Sequence, residues 1–243
     1  MMPYIIGFAG GSGSGKTTAV NLVAEHFRSA GVETLVLGFD NYYRDQSYLT
    51  PAERAQLDYD NPDTLDLALL RENVIRLRDG AFSVEEPQYD FKTHTRRRLP
   101  ELGKPENECS YQNVARLTKP VIIVDGLFTL LLEKEGEEEP VLHYQIFMET
   151  KGDMCLERRT IRDLEYRGRS RRRTAEQWQA TVKPGYLRFV RAQREQADEI
   201  VSWDHPEEEN QKQGRELFER LWRRYTDFQE YLTSSRTASS TGL

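Results

Sequence analysis

Within eight residues, Gly10-Gly11-Ser12-Gly13-Ser14-Gly15-Lys16-Thr17, the chain sets glycines, a cation and a hydroxyl in the order G-x-x-x-x-G-K-[ST]. Glycines let the backbone curl until several N–H groups point inward at phosphate oxygens. A lysine here places a cation on the β- and γ-phosphates of a nucleoside triphosphate, and the threonine hydroxyl can ligate Mg²⁺. The positive end of the following helix adds to the attraction. A plain flexible loop is the bland alternative. The motif follows an apolar strand and opens a helix, as the mechanism requires. Gly10 to Thr18 is therefore the expected nucleotide-binding segment.

Two acids stand at strand ends. Asp125 closes the most apolar strand, Pro120 to Val124, and Asp40 closes the strand Thr34 to Phe39. In a parallel sheet the C-terminal strand ends form the ligand crevice. Asp125 is thus a candidate for Mg²⁺, with a helix N-cap as the alternative. Asp40 is a candidate to orient an acceptor hydroxyl or take its proton, with an ordinary turn aspartate as the alternative. The polar-aromatic run Asn41-Tyr42-Tyr43-Arg44 beside it favours a site.

The third group is basic. Arginines 158, 159, 162, 167, 169, 171, 172 and 173 crowd one segment that carries only Glu157, Asp163 and Glu165 as acids. A solvated face normally interleaves both signs. Arg159 and Arg162 are i,i+3 on a helix and share a face. Guanidinium groups over a triphosphate would neutralise charge developing on the γ-phosphoryl. The segment about 157–173 reads as a lid. A solvated helix and a nucleic-acid patch are the alternatives.

These groups need a frame to hold them. Strand-like runs at Pro3–Ala9, Thr34–Phe39, Pro120–Val124, Tyr144–Met148 and Glu199–Trp203 alternate with helical spacing. Helices are expected at Thr17–Ala30, Asp63–Asp79 (with Asp63 as N-cap), Leu127–Lys134, Asp153–Tyr166, Thr174–Ala197 and Glu207–Leu232. The alternation predicts an α/β fold of P-loop NTPase type, a parallel sheet with helices on both faces. The stretch about 83–119 breaks the pattern and reads as a small β-rich lobe. The acidic run Glu133–Glu139 reads as a solvated loop. The folded domain is expected to span 1–233, with 234–243 as a disordered tail.

Composition bounds the rest. A length of 243 residues suits one α/β domain with an appended lobe. A net charge of −6 argues against a general nucleic-acid binder. The 2 cysteines, Cys109 and Cys155, lack a metal-ligand spacing and read as free thiols of a reducing compartment. No apolar run is long enough for a membrane span and no signal peptide is indicated, so a cytoplasmic location is expected.

Taken together, several segments resemble the uridine kinase (uridine-cytidine kinase) family of P-loop kinases. They are Gly10–Thr18, Phe39-Asp40-Asn41-Tyr42-Tyr43-Arg44-Asp45-Gln46, Asp58-Tyr59-Asp60-Asn61-Pro62-Asp63, Pro87–Arg96, Asp125-Gly126, and Arg158–Asp163 with Arg167-Gly168-Arg169-Ser170. The resemblance implies transfer of the γ-phosphate of ATP or GTP, with Mg²⁺, to the 5′-hydroxyl of uridine or cytidine. It implies Asp40 next to that hydroxyl, with Arg159 and Arg162 as lid residues near the acceptor or the phosphates, Arg159 also binding substrate. Asp60 and Arg169 would serve the ribose, and Tyr43, Tyr89, Phe91 and His94 the base. Thr17 and Asp125 would serve the metal. Small-molecule partners and a homo-oligomer are also implied, with no nucleic acid or membrane. Another acceptor, such as a sugar phosphate or vitamin precursor, and a nucleotide-binding switch are the alternatives. The sequence departs from the family at Asp125, where glutamate is usual, at a longer 97–110 segment, and at Ser202-Trp203-Asp204-His205, where Pro-Arg-Gly is common.

Overall fold

The structure is a computed structural model that describes residues 2–240 other than 135, 138 and 167. Its centre is β1 (Tyr4–Gly10), buried along its whole length. A strand covered on both faces has no polar side to present, hence the continuous apolar run. Parallel neighbours complete a five-stranded sheet: β2 (Thr34–Gly38), β7 (Val121–Asp125), β8 (Tyr144–Glu149) and β9 (Glu199–Ser202), in the order β2-β7-β1-β8-β9. The register sets Phe8 and Gly38 on either side of Asp125, so the carboxylate emerges where three strands end.

Alternate residues of each strand feed two cores. On one face Ile6, Phe8 and Ile123 meet α1 (Lys16–Ser29) and α7 (Glu207–Ser240) through Val20, Phe27, Leu217 and Leu221. On the other face Ile5, Ala9, Ile122 and Val124 meet α3 (Leu67–Arg78) through Leu70 and Val74, and the helical stretch before β9 through Val190. This is the expected parallel sheet with helices on both faces.

The lobe between α3 and β7 is made of two antiparallel pairs. β3 (Ser83–Pro87) pairs with β6 (Asn113–Leu117), and β4 (Tyr89–Asp90) with β5 (Thr95–Arg96). Before it, α2 (Pro51–Arg54) is a single turn closed by a Thr50/Glu53 capping box.

Several local expectations fail, each for a tertiary reason. α3 is capped by Asp66, which accepts from the Leu69 amide at 3.3 Å, not by Asp63. Leu65 bridges Tyr43 in extended conformation, and that pairing delays the helix. The helix expected at Leu127–Lys134 is only a 3₁₀ turn, Thr129–Leu132. The side chain of Gln193 donates to the Leu127 carbonyl and accepts from the Leu130 amide, taking groups a longer helix would use.

Thr174–Ala197 is not one α-helix. α5 (Arg171–Gln177) runs into π-helical Trp178–Val182, α6 (Lys183–Gly185), π-helical Tyr186–Val190 and 3₁₀ Arg191–Glu195. Pro184 has no amide to close an i−4 bond, and the helix is wide on both sides of it. The acidic run is partly anchored rather than simply solvated. Glu133 accepts from the amides of Val141 and Leu142, and Glu137 pairs with Arg71. Glu135 and Glu138 of that run lie outside the described residues. α7 continues to Ser240, past the boundary expected at 233, because neither glycine nor proline interrupts it there. Residues 241–243 of the expected tail lie outside the described residues.

Candidate active site

The turn after β1 is shaped by steric demand. Gly13 and Gly15 have φ of 83° and 88°, a left-handed region that costs side-chain-bearing residues free energy. A Cβ on Gly13 would lie 2.3 Å from the Cys155 carbonyl oxygen of α4 (Gly152–Tyr166), and one on Gly15 would lie 2.3 Å from the Trp203 ring. Lys16, only 8% exposed, donates from Nζ to the carbonyls of Gly10 at 2.7 Å and Gly11 at 2.9 Å. Burial lowers its pKa, while the charges of Asp125 and Asp40 act the other way.

Thr17 Oγ1 donates to Asp125 Oδ2 at 2.7 Å. Burial raises the pKa of Asp125, and the Lys16 charge and the Thr17 hydrogen bond oppose that shift. A desolvated carboxylate beside a hydroxyl at a phosphate cradle suits a hard cation. Among the described residues no group of three or more His, Cys, Asp and Glu side chains could hold a metal unaided. A cation held by Thr17 and Asp125 would therefore complete its shell with phosphate oxygens and water, which is magnesium-like behaviour. The residues present fit such an ion.

β2 ends in a 3₁₀ turn, Phe39–Tyr42. Phe39 is buried so tightly that a Cβ on Gly126 would come within 2.2 Å of its own Cβ. That anchor leaves the adjacent Asp40 exposed at the rim of a cavity of about 740 Å³, shared with Lys16, Thr17 and Asp125.

The opposite wall is aromatic. The rings of Tyr43 and Tyr89 lie 5.2 Å apart, and those of Tyr89 and Phe91 meet edge-on at 5.2 Å. Tyr59 stacks on His94 at 4.5 Å and 20°, and His94 takes a left-handed φ of 57° to do so. Asp60 is buried beside them and lines the same space. Asp45 ties the lobe down. It accepts from the Arg96 amide at 3.1 Å and pairs with Arg98 at 2.9 Å, and the Tyr111 hydroxyl donates to it at 2.9 Å.

The arginine segment splits into two groups. Arg158, Arg159, Arg162 and Arg169 line the cavity, whereas arginines 171–173 are exposed on α5 and Arg172 pairs with Glu176. Arg167 lies outside the described residues. Arg159, 4% exposed, donates to Ser12 Oγ at 2.7 Å and to Gln177 Oε1 at 3.1 Å. Arg169 donates to the same Gln177 oxygen at 2.7 Å. Burial lowers the pKa of Arg159, with the charges of Asp60 and Asp163 opposing. The cavity thus joins a phosphate cradle, strand-end acids, an aromatic wall and a guanidinium cover.

The phosphoribulokinase / uridine kinase family matches residues 5–206 of the chain. The chain belongs to that family. Uridine kinase of Staphylococcus haemolyticus is 38% identical over 197 residues, covering 81% of this chain and 86% of that one. Uridine kinase of Proteus mirabilis is 38% identical over 199 residues, covering 81% and 85%. Phosphoribulokinase from Rhodobacter spheroides shares the fold with a TM-score of 0.53 at 14% identity, over 82% of this chain and 70% of that chain. The family makes the chain an ATP-dependent kinase that works with a divalent metal, which disposes of the switch-protein alternative. No helix among the described residues is long and apolar enough to cross a membrane.

Set against the family's usual pattern, two departures find local explanations. None of the residues 97–110 lines the cavity, and the segment is pinned at its base by the Arg98–Tyr111 bridge. Trp203 is buried against Gly15, and its carbonyl accepts from Arg158 at 2.9 Å. Sequence reasoning placed Arg158 in the arginine segment without a role of its own, and missed Tyr59 and Gln177 as lining residues. Tyr59 lies inside one of the motif segments, which was a usable signal. Gln177 had none, because a helical glutamine is ordinary surface composition.

Proposed function

We propose that this kinase transfers the γ-phosphate of ATP, as its Mg²⁺ complex, to the 5′-hydroxyl of uridine or cytidine, with GTP as a second donor. The observation that carries the reading is the shared cavity: the aromatic lobe, Asp60, Asp40 and the glycine-rich turn line one space. The relatives named as uridine kinases support it. In this reading Lys16, Arg159 and Arg162 neutralise the charge that develops on the phosphoryl oxygens. Asp40 orients the acceptor hydroxyl and takes its proton; phosphoryl transfer through a loose transition state depends on such positioning. Asp60 accepts from the ribose hydroxyls with Arg169 beside it. Tyr43, Tyr89 and Phe91 flank the flat base, and His94 meets its edge. A hollow of about 510 Å³ running from Gly15 and Thr18 to Arg158, Trp203 and His205 suits the donor base.

A phosphorylated acceptor would need free cations in the lobe. Arg96 is instead bound to Asp66 and the Tyr43 carbonyl, and Arg98 to Asp45 and the Cys109 carbonyl. These two cations anchor the lobe, and neither they nor the exposed Lys92 and Arg97 line the cavity, which favours a neutral nucleoside. The test is a nucleoside and sugar panel with ATP and Mg²⁺, run on the wild type and on Asp40→Asn. Uridine or cytidine 5′-monophosphate is the expected product, with turnover in the variant lower by roughly 10²–10⁴-fold. Consumption of a different acceptor alone overturns the nucleoside assignment, and near-normal turnover in the variant removes Asp40 from its role.

A further inference from the structure

Three of the cavity-lining arginines, Arg159, Arg162 and Arg169, converge on the carboxylate of Asp163, and the charge of Asp60 also acts on Arg159. Asp163, 0% exposed in the last turn of α4, sits behind guanidinium groups that line the cavity. Its Oδ1 accepts from Arg162 Nη2 at 3.2 Å and Nε at 3.3 Å. Its Oδ2 lies 3.5 Å from Arg169 Nη1 and 3.7 Å from Arg159 Nε. The main chain joins in: the Asp163 carbonyl accepts from the Arg169 amide at 3.0 Å. That bond closes a turn whose Gly168 has φ of 63°. Ser170 then caps α5 by accepting from the Arg173 amide at 3.3 Å.

The orientation that results is one-sided. Arg159 turns its Nε edge back to Asp163 and its Nη edge forward to Ser12 of the phosphate cradle and to Gln177. Arg169 reaches both Asp163 and Gln177 from a single nitrogen, Nη1. Three guanidinium groups brought this close repel one another unless a negative charge lies among them. A carboxylate stripped of water is itself costly unless paired. Each side of the arrangement therefore needs the other, and the net charge left facing the cavity stays positive.

We propose that Asp163 is the positioning residue of the lid. Its carboxylate sets the direction of Arg159, Arg162 and Arg169 before substrate arrives, so that these groups meet the transferring phosphoryl and the acceptor without reorganising. Fixed charges that need no reorganisation are the ones that lower a barrier most. Asp163 contacts no substrate in this scheme; it acts through the arginines. The inference rests on the phosphoryl-transfer reading above, not on which nucleoside is taken.

The test is a double-mutant cycle on the full chain, with uridine as acceptor and a fluorescent ADP analogue to report the cradle. Asp163→Asn is expected to lower kcat at least roughly 30-fold while affinity for the ADP analogue stays within about threefold. In an Arg159→Gln/Arg162→Gln/Arg169→Gln background the same change should cost less than about threefold, because the groups it directs are gone. A merely structural aspartate would give the same proportional loss in both backgrounds, and that result overturns the proposal. So does an Asp163→Asn enzyme within threefold of wild-type kcat. Should that variant fail to fold, Asp163→Glu keeps the charge and advances it by one methylene. A KM for uridine raised about tenfold with unchanged ADP-analogue affinity supports the proposal, and an unchanged KM overturns it. If the wild type itself does not turn over uridine, the acceptor reading fails, and the cycle is read on ATP hydrolysis to water with the same criteria.

Discussion

The phosphate cradle and the aromatic lobe face each other across one cavity, yet they are built by opposite means. The cradle is contiguous in sequence and made mostly of backbone. Its conformation is set by what cannot fit: a Cβ on Gly13 or Gly15 would lie 2.3 Å from a neighbour. The lobe wall is discontinuous and made of side chains. Tyr43, Tyr59, Tyr89 and His94 come from three separate segments, held by ring contacts and by Asp45 bonds to Arg96, Arg98 and Tyr111. A backbone device tolerates almost no change in residue type. A side-chain wall can be retuned one ring at a time, so on the proposed reading acceptor choice is the adjustable half of the site.

The sharpest way to break that contrast is Gly13→Ala. The substitution adds both a left-handed backbone penalty and a clash with the Cys155 carbonyl, which belongs to a helix and cannot move cheaply. Binding of a fluorescent ADP analogue is expected to weaken at least roughly 100-fold, about 3 kcal/mol, consistent with strain plus overpacking. Titration of the purified variant measures it; affinity within a few-fold of wild type would mean the cradle is softer than its geometry implies.

Tyr89→Leu probes the other half on a smaller scale. Losing one stacking surface is expected to raise KM for the nucleoside by roughly 5- to 50-fold, since a base–aromatic contact is worth about 1–3 kcal/mol. The KM for ATP should stay within about threefold. If thermal stability falls but nucleoside KM holds, the ring serves lobe packing alone and the contrast weakens.

The smallest effect is in pH dependence. Burial raises the pKa of Asp125, so its anionic form is present above that pKa and is lost as pH falls through it. Since kcat/KM for ATP reports the free enzyme, its acid limb should lie above the ~3.9 of an ordinary aspartate. Nucleoside-side mutants such as Tyr89→Leu should leave that limb in place. An acid limb at the ordinary value would show that the cradle's carboxylate is better solvated than its position indicates.

These two halves were not equally legible in the sequence. The cradle was readable because its chemistry is local: eight consecutive residues carry the turn, the cation and the hydroxyl. The places of Asp40 and Asp125 followed from a general rule about where parallel strands end. The lobe's aromatic residues were legible only through motif resemblance, since no spacing rule says that Tyr43 meets Tyr89. Asp45, Gln177 and Asp163 carried no signal as organisers, because what singles each out is the set of distant groups that converge on it. The cap of α3 was misread for the same reason: Leu65 pairs with Tyr43, and that contact lies outside any local window.

By itself, then, the amino-acid order determined the strand and helix alternation, the glycine-rich turn and the sign of the charge in the arginine segment. These depend on periodicity, on glycine's missing side chain and on formal charge, all of which act over a few residues. Tertiary structure alone decided which arginines turn inward, that Asp163 sits among three of them, and how segments tens of residues apart close into one cavity. Those outcomes rest on burial and long-range pairing, and a charge acquires its direction only when the chain has brought its partner to it.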